Sequence, residues 1–290
     1  MSWRTVMVTK HCKLDCRMGY LVIRSDIKQT IYLDEIAVLM LENPAVSLTG
    51  CLIEEIVKHK IRLIFCDGNH TPLAELAPYY GSHDCSLKLK KQMAWQQGAK
   101  DRVWQAIVRR KIFMQAQHLE DLKKPDEAAL LMSYISDVEP GDGTNREGFA
   151  AKVYFNALFG KDFTRGADNV INARLNYGYY LIMACVSRAV TLNGYLTQLG
   201  VFHDNRFNFY NLSCDLMEPF RILIDRCVLT LKGDKLVKED KRALWEALHQ
   251  TVLIGERRQT ALNAMDIYVR SVLEAIEHDD ADLIRFYSLQ

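Results

Sequence analysis

Three short stretches carry residue types that could do chemistry together. In Asp215-Leu216-Met217-Glu218-Pro219-Phe220-Arg221 two carboxylates stand three apart, so a helix would put both on one face. Side by side they repel unless a cation or a basic group lies between them. Pro219 must kink or restart that helix, which lets Glu218 project into a cleft. In Val201-Phe202-His203-Asp204-Asn205-Arg206 a histidine sits in a polar, loop-like segment, where a ring nitrogen can ligate a metal. In Asn145-Arg146-Glu147-Gly148 a glutamate opens a helix, at the positive end of its dipole. Each stretch also has a plainer reading: surface acids at a helix end, a histidine that ligates nothing, a capped surface helix.

Taken together, Glu147, His203 and Glu218 make an oxygen-rich donor set with one imidazole. Such a set suits Mg²⁺ or Mn²⁺, and the imidazole tilts the choice toward Mn²⁺. A metal held there can polarise a phosphodiester and lower the pKa of an attacking hydroxyl. Arg146, Lys152, Arg206 and Arg221 are close by in sequence and could clamp phosphate oxygens. The residues alone thus lead to a candidate metal-dependent phosphoryl-transfer site.

A basic stretch supports a nucleic-acid partner. Between Lys88 and Lys111 there are eight basic residues against one acid, Asp101. Arg102, Gln105 and Arg109 share a helical face turned away from Trp104 and Ile107, a row of donors for duplex phosphates. A solvated helix face is the alternative. The DNA-binding candidates are Lys88, Lys91, Arg102, Arg109, Arg146, Arg206 and Arg221. The net charge of +1 argues neither way, so any nucleic-acid surface must be a local patch. No Walker-type phosphate loop and no dinucleotide fingerprint is present, which speaks against nucleotide hydrolysis. His11, Cys12 and Cys16 hint at zinc but lack a matching second pair. The stripe of Tyr177, Tyr179, Tyr180 and Met183 reads as helix packing rather than a base-stacking platform.

The elements that must position these groups fall into two regions. Residues 3–9, 20–24, 30–33, 46–48, 62–65 and 71–76 have the short apolar runs of strands, with Pro72 confining the last to an edge. Thr49 caps a helix over 50–59. Residues 1–77 are therefore expected to form a small β-rich domain, and 78–82 a linker. From 83 to 290 the period is helical. Helices are expected over 100–118, over 146–159 with Asn145 as cap, over 168–191, 214–232, 239–253 and 256–278. The fold class is α+β in two domains, the second all-α and carrying the site. The longest apolar stretch, 177–186, is too short to span a bilayer, and no secretory signal stands at the start. A soluble cytoplasmic protein with reduced thiols and no membrane partner is expected.

Four motifs in register add a resemblance. Asn145-Arg-Glu-Gly148, Tyr154-Phe-Asn-x-Leu-Phe-Gly160, Asn172-x-x-Leu-Asn-Tyr-Gly-Tyr179 and Asp215-Leu-Met-Glu-Pro-Phe-Arg221 together resemble the CRISPR-associated integrase/endonuclease family, the universal spacer-acquisition proteins. The opening Trp3-Arg-Thr-Val-Met-Val8 and the junction Pro78-Tyr-Tyr80, followed by His83-Asp84, resemble its type II-A branch. The likeness runs from the first strand to about Arg226; the rest fits by length and helical character. It implies that the family's metal ligands fall on Glu147, His203 and Glu218, with Asp215 as a supporting acid. It implies a DNA integrase that inserts protospacer DNA into a CRISPR repeat by attack of a 3′-hydroxyl, a transesterification serving antiviral defence. It also implies a homodimer formed through the N-terminal domains and a heterohexameric complex with a small ferredoxin-like CRISPR-associated partner. The type II-A branch adds the effector nuclease and a ring-shaped DNA-end-binding protein. The competing readings are a metal-dependent endonuclease on branched DNA and a non-enzymatic DNA-binding scaffold.

Overall fold

The computed structural model describes residues 4–68, 72–76 and 84–289. They group into two compact units, Met1–Gly81 and Ser82–Gln290. The linker expected over 78–82 lies outside the described residues, as do Trp3 and His83.

The first unit contains β1 (Arg4–Val8), β2 (Lys13–Arg17), β3 (Tyr20–Arg24), β4 (Gln29–Tyr32), β5 (Ile36–Leu41), β6 (Ser47–Leu48), α1 (Gly50–Lys58), β7 (Arg62–Cys66) and β8 (Pro72–Glu75). One sheet has the order β1-β5-β7-β8 and the other β4-β3-β2-β6. β1, β5 and β7 run parallel, and β8 closes the edge antiparallel to β7, where Pro72 leaves no central ladder bond unmade. Thr49 caps α1 through its side chain, which accepts from the Leu52 N–H at 3.3 Å. The core is aliphatic: Leu14 and Leu21 of one sheet, Leu39 and Leu63 of the other, and Leu52 and Ile56 of α1 are fully buried.

Two strands of this unit are absent from the sequence pattern, for different physical reasons. β5 (Ile36–Leu41) is buried at all six positions, as parallel strands covered on both faces are, so it shows no alternation. β2 is mostly polar and is a strand because of its neighbours β3 and β6. The turn into β3 is tight: Arg17 pairs with Tyr20, and Met18 and Gly19 between them take φ of 51° and 79°.

The second unit is helical: α2 (Cys85–Met93), α3 (Gln97–Asp121), α4 (Pro125–Ser136), α5 (Arg146–Phe159), α6 (Val170–Leu192), α7 (Asn211–Leu216), α8 (Arg221–Val228), α9 (Lys238–Glu246) and α10 (Ala261–His278). α3, α6 and α10 carry the largest buried faces and form its centre. α6 meets α8 at Gly178, where an added Cβ would come 2.4 Å from Ile224. No helix among the described residues is long and apolar enough to cross a membrane.

The class is α+β, with sheets first and a helical domain after. Within the helical unit three expectations are corrected. The helix expected over 214–232 is broken at Pro219 into α7, a 3₁₀ turn (Glu218–Phe220) and α8. The helix expected over 239–253 stops with α9, and Thr251–Ile254 becomes strand β9. Residues Arg257–Thr260, expected to open the last helix, form β10, which hairpins onto β9 through Gly255 at φ 53°. β11 (Tyr287–Ser288) adds to the other edge of β9. Its Tyr287 is fully buried, stacks on Phe220 at 4.5 Å and donates its hydroxyl to the Pro219 carbonyl at 2.9 Å, bracing the turn that carries Glu218.

One core histidine makes the unit acid-sensitive. His118 of α3 is 3% exposed and pairs with the Tyr154 hydroxyl of α5 at 2.7 Å. Burial, aided by the charge of Arg226, pushes its pKa down from 6.5 to about 4. The unfolded chain therefore takes up a proton near pH 6.5 and the folded chain only near pH 4. The stability from neutral His118 is complete above the higher value and is lost as pH falls through the window, up to about 3 kcal/mol. Denaturant melts from pH 7 to pH 4 should show a shallower loss for His118→Gln than for wild type. Parallel curves would remove His118 as the cause.

Candidate active site

Four elements bring charge to one place. On α3, Lys111 follows Trp104, Ile107 and Val108 at helical spacing and is buried with them. Buried lysines demand partners, and Lys111 has two: its ammonium donates to both Glu147 and Glu218.

Glu147 is placed by the start of α5. Asn145 caps that helix in the left-handed region, at φ 53° and ψ 43°, and its side chain accepts from the Gly148 N–H at 3.3 Å. Asparagine tolerates this conformation better than most residues. A Cβ on Gly148 would lie 2.7 Å from the Asn145 side chain, so the glycine makes room for the cap. Buried Asp142 holds the same turn by accepting from the Arg146 and Glu147 N–H groups at 2.8 and 3.0 Å.

Glu218 opens the 3₁₀ turn that Pro219 imposes between α7 and α8, and it is 4% exposed. One carboxylate oxygen accepts from Lys111 and the other lies 2.7 Å from the Arg221 guanidinium. Arg221 in turn sits over the Tyr179 ring at 4.6 Å. Tyr179 donates to Asp225 at 2.5 Å, and burial pushes the Asp225 carboxyl up to about 6. Burial works against the charge of Glu218, but Arg221 and Lys111 outweigh it and hold its pKa below the usual range. For Lys111 the same contest runs in mirror image: burial opposes its charge, and Glu218 and Glu147 keep it protonated.

His203 reaches the site from the loop before α7. Asp215, wholly buried, fixes that loop: its carboxylate accepts from the backbone N–H groups of Val201, Phe202 and His203 at 2.6, 3.0 and 3.1 Å. It also holds the His203 Nδ1 at 2.5 Å, leaving Nε2 as the free ring nitrogen. The Asp215 hydrogen bond raises the His203 pKa; burial opposes this, and the charges of Asp215 and Glu218 add to the rise. The two acids three residues apart thus do different work. Asp215 orients the histidine, while Glu218 faces the cations.

The donor chemistry fits a divalent cation. Two carboxylates already share one cationic group, and the histidine is oriented through its other nitrogen by a buried carboxylate, a usual arrangement behind a metal-ligating imidazole. Among the described residues no three His, Cys, Asp or Glu side chains are close enough to hold an ion together. Lys111 stands between the two glutamates.

The expected DNA row is less free than its sequence suggests. Lys91 pairs with Glu277 at 2.8 Å, Lys88 lies 3.6 Å from the same acid, and Arg102 pairs with Asp279. Gln105 and Arg109 donate to the Val138 carbonyl at 2.6 and 3.0 Å. Arg146 lies 3.5 Å from Asp137, and exposed Arg206 lies over the Phe207 ring at 5.9 Å. A count along the chain shows one acid for eight bases; the fold brings in Glu277 and Asp279 from the end of α10 and spends Lys111 on the site.

Lys111 is the site residue that the sequence reading misplaced. Its position on the apolar face with Trp104 and Ile107 was the available signal: a lysine at a core position needs a buried acid.

A sheet-built first unit, followed by a helical unit that gathers two glutamates, a lysine, an arginine and an oriented histidine, defines a two-domain α+β protein with a buried ionic site. The family model described as "CRISPR associated protein Cas1" matches residues 6–266, and the chain belongs to that family. It is similar to the CRISPR-associated endonuclease Cas1 of Neisseria meningitidis serogroup C (strain 8013), 34% identical, with 98% of this chain and 96% of that one covered. Among solved structures, a casposase bound to integration product superposes with a TM-score of 0.77 at 17% identity, covering 96% of this chain and 92% of that one. A Cas6-RT-Cas1–Cas2 complex gives a TM-score of 0.75 at 16% identity, covering 99% of this chain and 36% of that one. At such identities the likeness to the two structures shows the fold.

Proposed function

We propose that this chain is a divalent-metal-dependent DNA integrase of CRISPR adaptation, joining the 3′-hydroxyl of a short duplex to a phosphodiester at a repeat boundary. The observation that carries the proposal is the convergence of Glu147 and Glu218 on one cationic group, beside a histidine aimed by a buried acid. Glu147, Glu218 and the Nε2 of His203 would hold Mg²⁺ or Mn²⁺. Bound there, such an ion would supply Lewis-acid activation of the attacking hydroxyl and offset the charge that develops on the phosphoryl oxygens. Asp215 keeps the imidazole in one tautomer by accepting from its Nδ1. Arg221 and Lys111 set two positive charges beside the acids, where a phosphate would be drawn. One ester replaces another, so no nucleotide cofactor is required, in keeping with the missing phosphate loop.

The further assignments follow the sequence resemblance. The chain is of the type II-A branch, dimerises through its N-terminal unit, and flanks a small ferredoxin-like partner in a heterohexamer. Protospacer and repeat DNA are its substrates, with the effector nuclease and a ring-shaped end-binding protein as further partners. Lys88, Lys91, Arg102, Arg109, Arg146, Arg206 and Arg221 face the DNA, several of them while also paired with the acids named above. The partner named in the solved Cas1–Cas2 complex and the integration product held by the casposase support this reading. The name of the Neisseria relative favours a second: endonucleolytic cutting, with water in place of the 3′-hydroxyl.

A labelled donor duplex mixed with a repeat-bearing plasmid, the small partner and Mn²⁺ or Mg²⁺ separates these readings. Covalent transfer of label to the plasmid is expected. Cutting without transfer would favour the endonuclease, and no reaction with either ion would leave a DNA-binding scaffold.

A further inference from the structure

A pair of thiols in the N-terminal unit has no part in the site described above. Cys16 lies on β2 and Cys51 in the first turn of α1, 35 positions apart in sequence, yet their sulfurs are 3.0 Å apart. The packing of α1 on β2 produces this approach. Both ends are anchored. Cys16 pairs with Leu21 in the antiparallel ladder, and the turn holding Cys51 is fixed by the Thr49 cap. The two thiols differ in access: Cys51 is exposed and Cys16 half-buried, whereas Cys12 and Cys66 of the same unit are buried. An exposed thiol with a second thiol in contact behind it is the arrangement of redox-sensitive cysteines that carry a resolving partner.

We propose that Cys16 and Cys51 form a reversible dithiol/disulfide modification site, oxidised by hydrogen peroxide or by a small-molecule disulfide. With peroxide, the Cys51 thiolate attacks one oxygen; the O–O bond breaks, the other oxygen leaves as water after protonation, and Cys51 becomes a sulfenic acid. The Cys16 sulfur then attacks the Cys51 sulfur. The S–S bond forms, the S–O bond breaks, and a second water leaves with the Cys16 proton. Two thiols lose two electrons and one peroxide becomes two waters. With glutathione disulfide the leaving groups are two glutathione thiols. Cys51 acts first because it is the accessible sulfur. Cys16 is held protonated, its pKa pushed up to about 11 by the hydrogen bond with Cys51, by burial, and by the charges of Cys51, Glu55 and Asp15. The closed bond ties α1 covalently to β2 across the loop that contains β3, β4, β5 and β6.

The test uses the full chain, titrated with hydrogen peroxide or glutathione disulfide, alkylated, and read by intact and peptide mass spectrometry. The expected product is one intramolecular Cys16–Cys51 cross-linked peptide with a loss of about 2 Da, reversed by dithiothreitol. It should form at roughly tenfold lower oxidant than modification of Cys12 or Cys66 requires, because those thiols are buried. Cys16→Ser should yield instead a Cys51 sulfenic acid trapped by dimedone, or mixed disulfide with glutathione, and no internal link. The proposal is overturned if wild type over-oxidises at Cys51 without forming the link. It also fails if Cys51 joins only a second chain, or if the link forms no earlier than modification of the buried thiols.

Discussion

Glu147→Ala is expected to lower donor-to-plasmid joining at least about 100-fold, the scale on which removing a group that stabilises transition-state charge acts. Duplex binding should stay within about threefold, since an acid contributes nothing to phosphate attraction. The position suits the test: the Glu147 side chain is 29% exposed, against 4% for Glu218. Its loss leaves Lys111 still paired with Glu218, so the fold should survive, and an unchanged melting temperature would show it. Glu218→Ala confounds chemistry with folding, because it strips buried Lys111 and Arg221 of their shared acid. Breaking a buried pair from one side costs roughly 3–5 kcal/mol. Joining by Glu147→Ala at the wild-type rate would remove α5 from the site and leave the acid pair as a structural ion cluster.

Asp215→Ala should produce a large stability loss in the helical unit. Its carboxylate satisfies three backbone N–H groups and the His203 ring while fully buried. Alanine leaves those donors orphaned, at a cost of about 3–5 kcal/mol. For a unit of this size the thermal midpoint should fall by about 10 °C. Asp215→Asn separates positioning from folding. It keeps the shape and one acceptor oxygen, so the midpoint should fall by less than half as much. Without the carboxylate behind Nδ1 the imidazole loses its fixed tautomer, and joining should drop about 10- to 100-fold, the range for such supporting partners. An Asp215→Ala protein that melts with wild type would contradict the geometry of the loop at 201–203.

The helices that carry the site were legible in the sequence because each has its own punctuation. Asn145 with Gly148 marks the start of α5, and Pro219 marks the break at Glu218. What stayed hidden was set by distant partners. β5 has no alternation because both of its faces are covered. β9 is a short apolar run that a helix also satisfies, β10 has no apolar residue at all, and only the pairing of β10 and β11 with β9 decides the matter. By sequence Lys111 is one more base in a one-signed run. Its partners lie 36 and 107 positions away, beyond any local count. The same distance effect explains why Glu277 and Asp279, late in the chain, blunt a basic stretch that looked open.

The ammonium bridging the two glutamates has a consequence for how such a cleft lives between turnovers. The acids are already countered from within, Glu147 by Lys111 and Glu218 by Lys111 and Arg221. Under the proposed function, loading a divalent ion would be a swap of one counter-charge for another rather than a capture into bare carboxylates. Affinity would then be a difference between two cations, and shortening or neutralising the lysine would retune it while leaving both glutamates in place.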